Sequence, residues 1–351
     1  MDKKKVGVIT FHRAINYGAA WQTYALLTHL QSKGFLVEVI DYFPNFLQKY
    51  HYKLPKNPLN FIKRLGIIPQ FNKFVKKRLT LTTCYKTESE LEQNPPQADF
   101  YVCGSDQIWN REITGNELKP YLLTFVPVGK KKISYAASIG SKKISKQDEI
   151  LFSKEFPKFS ALSVREKLLQ EEVKRLSDRE ADIVLDPTFL LNKADYCKLL
   201  SFKKKLQKPY ILRIDLEGNA LMEDSVMHLK KKTGLSVVNI SGSYCSYADK
   251  NPLYISPEDW LNYILNAAYI CTNSFHGLAF SIIFEKNFYC ISRKEKNNRA
   301  TGMLESLDIS DRFIKNIEDI DVEKQIDYAK VAQKLELLRS KSFDFLDKAL
   351  N

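Results

Sequence analysis

The chain has 351 residues, of which 44% are hydrophobic, 12% aromatic and 27% charged, a composition that excludes a disordered chain and predicts about two domains. The formal net charge is +13, from 54 Lys and Arg against 41 Asp and Glu, which raises the question of an anionic partner. No apolar run approaches the roughly 20 residues that a membrane-spanning helix needs, and residues 1–18 lack the apolar core of a signal peptide. We therefore expect the chain to stay in the cytoplasm.

We expect the six cysteines to be reduced and to have structural roles. They form no C-x-x-C pair and no zinc-type spacing. Cys103, Cys271 and Cys290 lie in apolar, strand-like runs, where a thiol behaves as a small hydrophobic group. The sequence therefore predicts neither a metal site nor a disulfide framework.

The first half of the chain alternates strand-like and helix-like segments. Residues 4–11 and 35–43 read as strands, and residues 16–34 between them carry apolar residues at helical spacing. This order predicts a parallel sheet with crossover helices, and we expect a Rossmann-like domain over residues 1–192. The same domain has four later strand-like segments, at 98–106, 131–138, 161–176 and 181–191. The segment 161–176 begins as a strand and runs into a charged helix.

The second half repeats the α/β pattern after a polar and basic stretch at 192–209, which suits a linker between domains. Ser256 and Pro257, followed by two acidic residues, mark a helix start. We expect a smaller Rossmann-like domain over 209–315 and a charged helical tail over 316–351. The predicted strands are 209–218, 235–241, 269–273 and 287–292, and the predicted helices are 219–233, 256–268 and 274–285.

Much of the positive charge lies in residues 42–87, which contain ten Lys or Arg and no Asp or Glu, mixed with Phe, Ile and Leu. This composition is typical of a segment that lies on an anionic membrane surface. It fits equally well a solvated face whose lysines extend over apolar neighbours. Nucleic acid fits less well, because no motif that reads bases accompanies the charge, and we expect no nucleic-acid partner.

One histidine stands at a strand–helix junction of the second half. In CTNSFHGLAFSIIF, His276 follows a predicted strand and lies in or just before the first turn of a predicted helix. Ser274 suits the N-cap, and Gly277 permits a close backbone approach. Ligands of open α/β sheets collect at this edge, where helix N-termini bind anions. His276 is either a packing and capping residue or a ligand-facing group, whose neighbours would then include Phe275.

An arginine stands at a similar junction of the first half. Arg165 follows the predicted strand ALSV, and its guanidinium suits a two-pronged grip on a carboxylate. The alternative is an ordinary surface ion pair with Glu166 or Glu172.

Two further junctions place polar groups at predicted strand ends. CGSDQIWN combines a tight turn with polar side chains and an indole, which suits a sugar as well as a loop that only packs. RAINYGA opens the first helix. The chain contains neither G-x-G-x-x-G nor a P-loop, and G-x-S-x-G and H-E-x-x-H are absent, which argues against the enzyme classes that use them. The candidate substrate-binding residues here are Gly104, Ser105, Asp106, Trp109, Asn110, Asn16, Tyr17 and Gly18.

Five motifs follow one another along the chain: FHRAINYGAAWQTYAL, YVCGSDQIWN, SVREK, VLDPTFLL and TNSFHGLAFSIIFEKNF. In order and spacing they resemble the polysaccharide pyruvyl transferases over about residues 6–315. The resemblance implies two Rossmann-like domains facing across a cleft, as in GT-B glycosyltransferases, with the N-terminal domain on the acceptor side.

The resemblance also implies an activity. Members of this family transfer a pyruvyl group from phosphoenolpyruvate to two hydroxyls of one sugar, which gives a cyclic ketal and releases phosphate without a cofactor. Their acceptors are capsule, exopolysaccharide or cell-wall glycans, often in lipid-linked form. We therefore expect a cytoplasmic transferase, which would lie at the inner face of the membrane if the basic segment binds lipid.

The resemblance carries roles onto single residues. His276 matches the family's histidine near the strand–helix junction and becomes the expected acid–base group. Arg165 best matches an arginine that holds phosphoenolpyruvate, and Arg213 in ILRIDL is the second choice. The helix start at Ser274 would hold phosphate, and Lys294, beyond the strand NFYCIS, would add charge.

Two rival functions remain at this stage. A GT-B glycosyltransferase with a nucleotide-sugar donor has the same fold and acceptor class, and the helix start at residue 274 suits its diphosphate. A non-catalytic protein that binds glycans or lipid surfaces is the second rival. The presence of both His276 and Arg165 argues against it.

Overall fold

The computed structural model divides the chain into two compact units, each of which has its own sheet. The first unit consists of Met1–Lys53, Asn72–Leu191 and Leu337–Asn351, and the second of Leu54–Phe71 and Asn192–Glu336. The structure describes residues 3–54, 58–115, 117–140, 143–200, 209–293 and 298–351.

The first unit contains a seven-stranded sheet in which all neighbouring strands are parallel. Its strands are β1 Lys5–Ile9, β2 Leu36–Tyr42, β3 Leu81–Tyr85, β4 Phe100–Cys103, β5 Lys131–Ala137, β6 Ala161–Val164 and β7 Asp182–Ile183. The strand order is β3-β2-β1-β4-β5-β6-β7. The winding direction therefore reverses between β1 and β4, which is the switch point where doubly wound sheets bind ligands.

Helices connect these strands. The first of them begins where the Asn16 side chain accepts a hydrogen bond from the Ala19 N–H (3.1 Å), and it ends just before Gly34, whose φ is +92°. The helices are α1 Tyr17–Ser32, α2 Asn45–Tyr52, α3 Pro58–Arg78, α4 Glu88–Gln93, α5 Arg111–Thr114, α6 Leu118–Tyr121, α7 Lys146–Glu155 and α8 Lys167–Ser177, with 3-10 turns at Phe156–Lys158 and Pro187–Leu190.

The second unit contains a five-stranded parallel sheet. Its strands are β8 Tyr210–Ile214, β9 Ser236–Asn239, β10 Tyr269–Thr272, β11 Asn287–Ile291 and β12 Phe313–Ile314. The order β12-β11-β10-β8-β9 places the switch point between β8 and β10. Two parallel, helix-flanked sheets confirm the predicted α/β class with two Rossmann-like halves.

The helices of the second unit include the start that the sequence predicted at Ser256. Its side chain accepts from the Asp259 N–H at 3.0 Å, while the Asp259 carboxylate accepts from Ser256, a capping box. The helices are α9 Lys193–Cys197, α10 Ala220–Thr233, α11 Pro257–Asn266, α12 Phe275–Ile283, α13 Asn298–Ser306 and α14 Tyr328–Leu350, with 3-10 turns at Ser310–Arg312 and Ile317–Asp319.

The C-terminal tail is shared between the units, whereas the sequence predicted a separate segment from residue 316. Within the first unit, Phe345 and Leu346 of α14 are buried in the same hydrophobic cluster as Val6 of β1. The ring of Phe343 stacks on His29 of α1 at 4.8 Å. An apolar face on the end of α14 therefore completes the core of the first unit.

The basic segment folds as α2, α3 and the edge strand β3. Residues 54–71 of this segment belong to the second unit, although the predicted domain border assigned them to the first. There the buried Lys63 donates from Nζ to the Ser241 carbonyl at 2.7 Å, and burial lowers its pKa. No helix in the described part of the chain is long and apolar enough to cross a membrane.

The predicted strand at 181–191 is much shorter in the structure, where β7 covers two residues. The Asp186 carboxylate accepts from the Thr188 N–H at 3.0 Å and caps the 3-10 turn that begins at Pro187. The Val184 N–H still donates to the Val164 carbonyl at 3.1 Å, but the Leu185 N–H donates to the Ser342 hydroxyl at 3.0 Å instead, and Pro187 has no N–H to donate. The predicted linker at 192–209 begins as α9, and its residues 201–208 lie outside the described residues.

Candidate active site

The carboxyl edge of the second sheet holds the junction that the sequence selected. After β10, the Thr272 hydroxyl accepts from the Ser274 N–H at 3.1 Å, and the Ser274 hydroxyl accepts from the Gly277 N–H at 3.3 Å. Ser274 is thus the N-cap of α12, as predicted, which satisfies one backbone donor of the first turn. The start of the helix is fixed to the end of its own strand.

Gly277 allows this close contact. A Cβ at this position would lie 2.3 Å from Oγ1 of Thr272, closer than real Cβ atoms come to any neighbour. Glycine therefore lets the first turn of α12 lie directly against the end of β10.

His276 is the second residue of α12, and 7% of its surface is exposed. Its ring stands edge-on to Phe275, with the ring centroids 5.3 Å apart. On Phe275, in turn, lies the guanidinium of Arg299, 5.7 Å from the ring centroid. A histidine, an aromatic ring and a cation thus meet at a helix N-terminus, where the backbone dipole also favours an anion. Arg299 was not among the predicted residues, because its contact with Phe275 spans two helices.

A network of polar side chains joins the two strands at the switch point. Asn273, after β10, donates from Nδ2 to Asp215 Oδ1 at 2.6 Å and accepts from the Leu216 N–H at 2.8 Å. The Asp215 carboxylate also accepts from the Glu217 and Gly218 N–H groups. The loop after β8 is therefore fixed beside the start of α12.

Arg213 belongs to the same network. Its guanidinium donates to Tyr247 Oη at 2.8 Å, to Asn239 Oδ1 at 2.9 Å and to the Asp215 carboxylate, and its side chain is 7% exposed. These partners occupy the donor groups that a substrate carboxylate would need. Through these contacts Arg213 joins the ends of β8 and β9, and its role as second choice for the donor carboxylate stays a prediction.

Positive charge also follows β11. Arg293 pairs with Glu217, from Nε to Oε1 at 2.6 Å, and its side chain is 17% exposed. The predicted Lys294 lies outside the described residues.

In the first unit, Arg165 is buried among carboxylates rather than exposed at the strand end. It contacts Asp186 at 2.6 Å, Glu166 at 3.5 Å and Asp106 at 4.0 Å, and 4% of its side chain is exposed. Burial alone would lower the pKa of this guanidinium, but the surrounding carboxylates outweigh that effect and raise it. Arg165 therefore links the loops after β4, β6 and β7 within the first unit, and its grip on a substrate carboxylate stays a prediction.

The loop after β4 is part of the same buried cluster. The Ser105 hydroxyl donates to Asp186 at 2.9 Å, and the Ser105 carbonyl accepts from Thr10 at 3.0 Å. Asp106 has a φ of +76°, a strained conformation for a residue with a side chain. A Cβ at Gly104 would lie 3.3 Å from Thr10 and Leu26, so this turn is closely packed.

Trp109 is a core residue, which corrects its prediction as an aromatic wall for a sugar. It is 2% exposed, its Nε1 donates to the Tyr121 carbonyl at 2.9 Å, and its ring packs against Phe156 at 5.4 Å. Asn110 caps α5 by accepting from the Glu112 N–H at 3.0 Å. This loop packs and caps, which was the alternative in the sequence.

The first strand–helix turn places its predicted residues unevenly. Asn16 is the exposed N-cap of α1, Tyr17 is half-buried and Gly18 is buried. Sequence reasoning missed the polar cluster beside it: His12 Nε2 lies 2.9 Å from Asp41 Oδ1, and Arg13 pairs with the same carboxylate. A histidine and an arginine in the loop after β1 and an aspartate near the end of β2 were the signal that could have predicted it.

The predicted residues thus fall into two groups. His276, Ser274, Phe275, Gly277 and Arg213 lie at the carboxyl edge of the second sheet, and Arg165 with the 104–110 loop belongs to the first unit. The first group forms the candidate active site.

Comparison with known structures supports the fold. A putative UDP-N-acetylglucosamine 2-epimerase from Listeria monocytogenes is 11% identical, with a TM-score of 0.52 over 97% of this chain and 91% of that chain. The Rickettsia bellii UDP-N-acetylglucosamine 2-epimerase is 13% identical (TM-score 0.49, 99% and 98% covered). An Arabidopsis thaliana protein complexed with UDP-L-rhamnose is 10% identical (TM-score 0.48, 100% and 95% covered). At such identities the Listeria structure shows a shared GT-B-type fold and nothing about function.

Comparison of the sequence is more specific. No curated protein matches the chain significantly. The family model described as polysaccharide pyruvyl transferase matches residues 16–295, which include the first helix turn, the loop after β4 and the whole His276 junction. The chain therefore belongs to the polysaccharide pyruvyl transferase family.

Proposed function

We propose that the chain transfers a pyruvyl group from phosphoenolpyruvate to a sugar of a surface-glycan precursor, with His276 as the acid–base group. The observation that carries this proposal is the position of His276: it lies in the first turn of α12, beside the switch point of the second sheet. An imidazole titrates near neutral pH and suits proton transfer, and the adjoining helix N-terminus suits a phosphate. Family membership supports the same reaction class.

The reaction needs one proton delivered and two removed. Protonation of the methylene carbon of phosphoenolpyruvate leaves positive charge on the adjacent carbon, which the first sugar hydroxyl attacks with loss of its proton. The carbon–oxygen bond to phosphate then breaks, and phosphate leaves with the bonding electrons. The second hydroxyl closes the ring and loses its proton. His276 can deliver the first proton and accept one from a hydroxyl.

The donor carries two anionic groups, which require cations at the site. Arg165 and Arg213 contact acceptors of their own units, and either would have to exchange such a contact for one with the donor. Arg293, which pairs with Glu217, and Arg299, which stacks on Phe275 next to His276, are two further candidates, since both lie in the segments that follow β11. The N-terminus of α12 adds its dipole for the departing phosphate.

We further infer that the acceptor is lipid-linked and that the chain works at an anionic membrane surface. This rests on α3, where exposed side chains recur every three or four residues. In its first half they are apolar, with Phe61, Ile62 and Leu65 exposed by 38%, 48% and 47%. In its second half they are Lys73, Lys76 and Lys77. Apolar groups beside lysines suit insertion at the boundary between lipid headgroups and acyl chains.

The test compares His276→Ala with His228→Ala, which changes a half-buried histidine on α10 of the same unit. Each protein is incubated with phosphoenolpyruvate and lipid-linked glycan precursors, and phosphate release and pyruvylated product are measured. We expect His276→Ala to lower turnover at least about 100-fold while phosphoenolpyruvate still raises its melting temperature. His228→Ala should keep normal turnover.

Near-normal turnover of folded His276→Ala would remove the assignment of this residue. Thermal stabilisation of the wild-type protein by UDP-sugars and not by phosphoenolpyruvate would instead favour the glycosyltransferase with a nucleotide-sugar donor. The two results can be distinguished, because the first tests the role of His276 and the second tests which donor the protein binds.

A further inference from the structure

The first unit has a pocket of about 560 Å³ whose lining includes no residue of the candidate active site. It lies where β1 and β2 end: Arg13 follows β1, Phe43 follows β2, and Tyr52 and Lys76 come from α2 and α3. The volume is that of a small-molecule site. Its position at the carboxyl edge of a parallel sheet is where ligands of this fold class bind.

Arg13 is held in a fixed orientation at the pocket wall. Its Nε and Nη2 donate to the two oxygens of Asp41, both at 2.5 Å, while 26% of its side chain stays exposed. Hydrogen bonds to Asp41 raise the pKa of Arg13. Burial by itself would raise the pKa of Asp41, but Arg13 and His12 outweigh it and hold that pKa far below its usual range. The guanidinium is thus charged and preorganised.

A buried histidine contacts the same carboxylate as Arg13. His12 is 2% exposed, and its ring nitrogens lie 3.1 Å from the Thr10 carbonyl oxygen and 2.9 Å from Asp41. Arg13 and Lys76 therefore place two positive charges at the wall of the pocket. Residues 42–87, which form most of the wall, contain no Asp or Glu.

Beside these cations the pocket offers aromatic and amide groups. The rings of Phe43 and Tyr52 stand 5.5 Å apart at 63°, and the Arg13 guanidinium lies 5.4 Å from the Phe43 ring. The Tyr52 hydroxyl donates to Asn72 at 2.9 Å, and the Gln48 amide donates to the Phe43 carbonyl at 2.8 Å. Aromatic faces with a few fixed polar groups suit the apolar face and hydroxyls of a sugar ring.

From this combination we propose that the pocket binds a phosphorylated saccharide, with the ring against Phe43 and Tyr52 and the phosphate against Arg13 and Lys76. The inference rests on the proposed function in one respect, because it makes this pocket the subsite for the acceptor glycan. Its phosphate is that of a glycosyl phosphate, whether joined to a polyprenyl lipid or to a nucleotide.

The test measures binding of a panel of hexose 1-phosphates, the corresponding free hexoses and inorganic phosphate by calorimetry. Lys76→Ala removes one phosphate partner from the wall, and Lys154→Ala, which changes an exposed lysine on α7 of the same unit that does not line the pocket, is the matched control. We expect the hexose 1-phosphate to bind wild type and Lys154→Ala alike and Lys76→Ala about tenfold more weakly. Phosphoenolpyruvate should stabilise all three proteins equally.

A second pair of measurements identifies the carrier. Competition by a polyprenyl glycosyl phosphate in detergent supports a lipid-linked acceptor, and competition by a nucleotide sugar supports a nucleotide-linked one; both keep the pocket as the saccharide subsite. Equal affinity in wild type and Lys76→Ala, or no binding of any hexose 1-phosphate to wild type, would overturn the inference. Phosphoenolpyruvate fails to bind in one further possible result, while Lys76→Ala still lowers the affinity for the hexose 1-phosphate. That result would contradict the proposed donor and would still support the pocket as a saccharide site.

Discussion

Gly277 shows how much depends on one missing side chain. The first turn of α12 lies so close to β10 that a methyl group on residue 277 would overlap the Thr272 hydroxyl, which itself fixes the Ser274 N–H. The glycine therefore controls both the cap of the helix and the position of His276, one residue earlier.

We expect Gly277→Ala to lower the free energy of unfolding by about 1–3 kcal/mol, because the helix start must move to admit the new atom. Gly302→Ala in α13 is the matched control: a Cβ there meets no atom within 4 Å, and alanine favours a helix. It should be neutral or slightly stabilising. Urea unfolding measures the stability of both variants. Equal urea midpoints for Gly277→Ala and Gly302→Ala would contradict the expectation, because they would mean that the helix start admits the new methyl group without loss of stability.

Single residues also show what the sequence could tell about the site. Ser274 and Gly277 act locally, through neighbours within five residues, so their structural roles could be read from the motif. Trp109 and Arg165 could not be judged in this way. The Trp109 ring is enclosed by residues 43 to 50 positions later, and Arg165 meets Asp186 and Asp106 from other strand ends. The local sequence pattern does not show that a residue is buried by others that are distant in the chain.

At the scale of elements, the contact between α1 and α14 has a pH-dependent component. His29 of α1 is 5% exposed under Phe343 of α14. Burial, reinforced by the charge of Lys33, lowers the pKa of His29 to about 4, from the 6.5 of an unperturbed histidine. Between these values the unfolded chain holds the extra proton, so the free energy of unfolding falls as the pH drops from 6.5 to about 4.

We expect this histidine to account for about 3 kcal/mol of the stability lost over that window, at about 1.4 kcal/mol per unit of pKa. His29→Leu should therefore lose less stability between pH 7 and pH 4.5 than the wild-type protein. Urea unfolding at both pH values measures the difference, and a His29→Leu slope equal to that of the wild type would contradict the assignment.

The elements that the sequence predicted are those with strong local signals. Strands β1, β2, β8 and β10 are short runs rich in β-branched and aromatic residues, and α11 begins at the polar cap that the pattern predicted. Strands β3 and β12 were missed because edge strands carry fewer apolar residues and pair on one side. The sharing of α3 and α14 between the units was also missed, because an amphipathic helix does not reveal which core it covers.

At the scale of the whole molecule, a net charge of +13 favours electrostatic attraction to an anionic membrane surface. If α3 binds an anionic surface, reversal of charge on this helix should matter more than the same change elsewhere. Lys73→Glu with Lys77→Glu should weaken sedimentation with phosphatidylglycerol vesicles at least tenfold at low salt, since each lysine near such a surface contributes about 1 kcal/mol.

Lys231→Glu with Lys232→Glu on α10 is the matched control, because it removes the same charge from two exposed lysines of another helix. The control variant should lose much less of its binding to the vesicles. Added salt should weaken vesicle binding by the wild-type protein and by both double variants. Equal losses in both double variants would mean that net charge alone attracts the chain and that α3 has no special part.

The shared helices have a consequence for how the molecule is made. The core that covers β1 includes Leu346 and Leu350, the last buried residues of α14. On a ribosome the first sheet is synthesised before most of the second unit, yet the side chains that close its core emerge only after Asn192–Glu336 of that second unit. Until then Val6, Val8 and Leu27 lack part of their packing, so the nascent first unit is the stage at which a chaperone would find exposed apolar surface to bind.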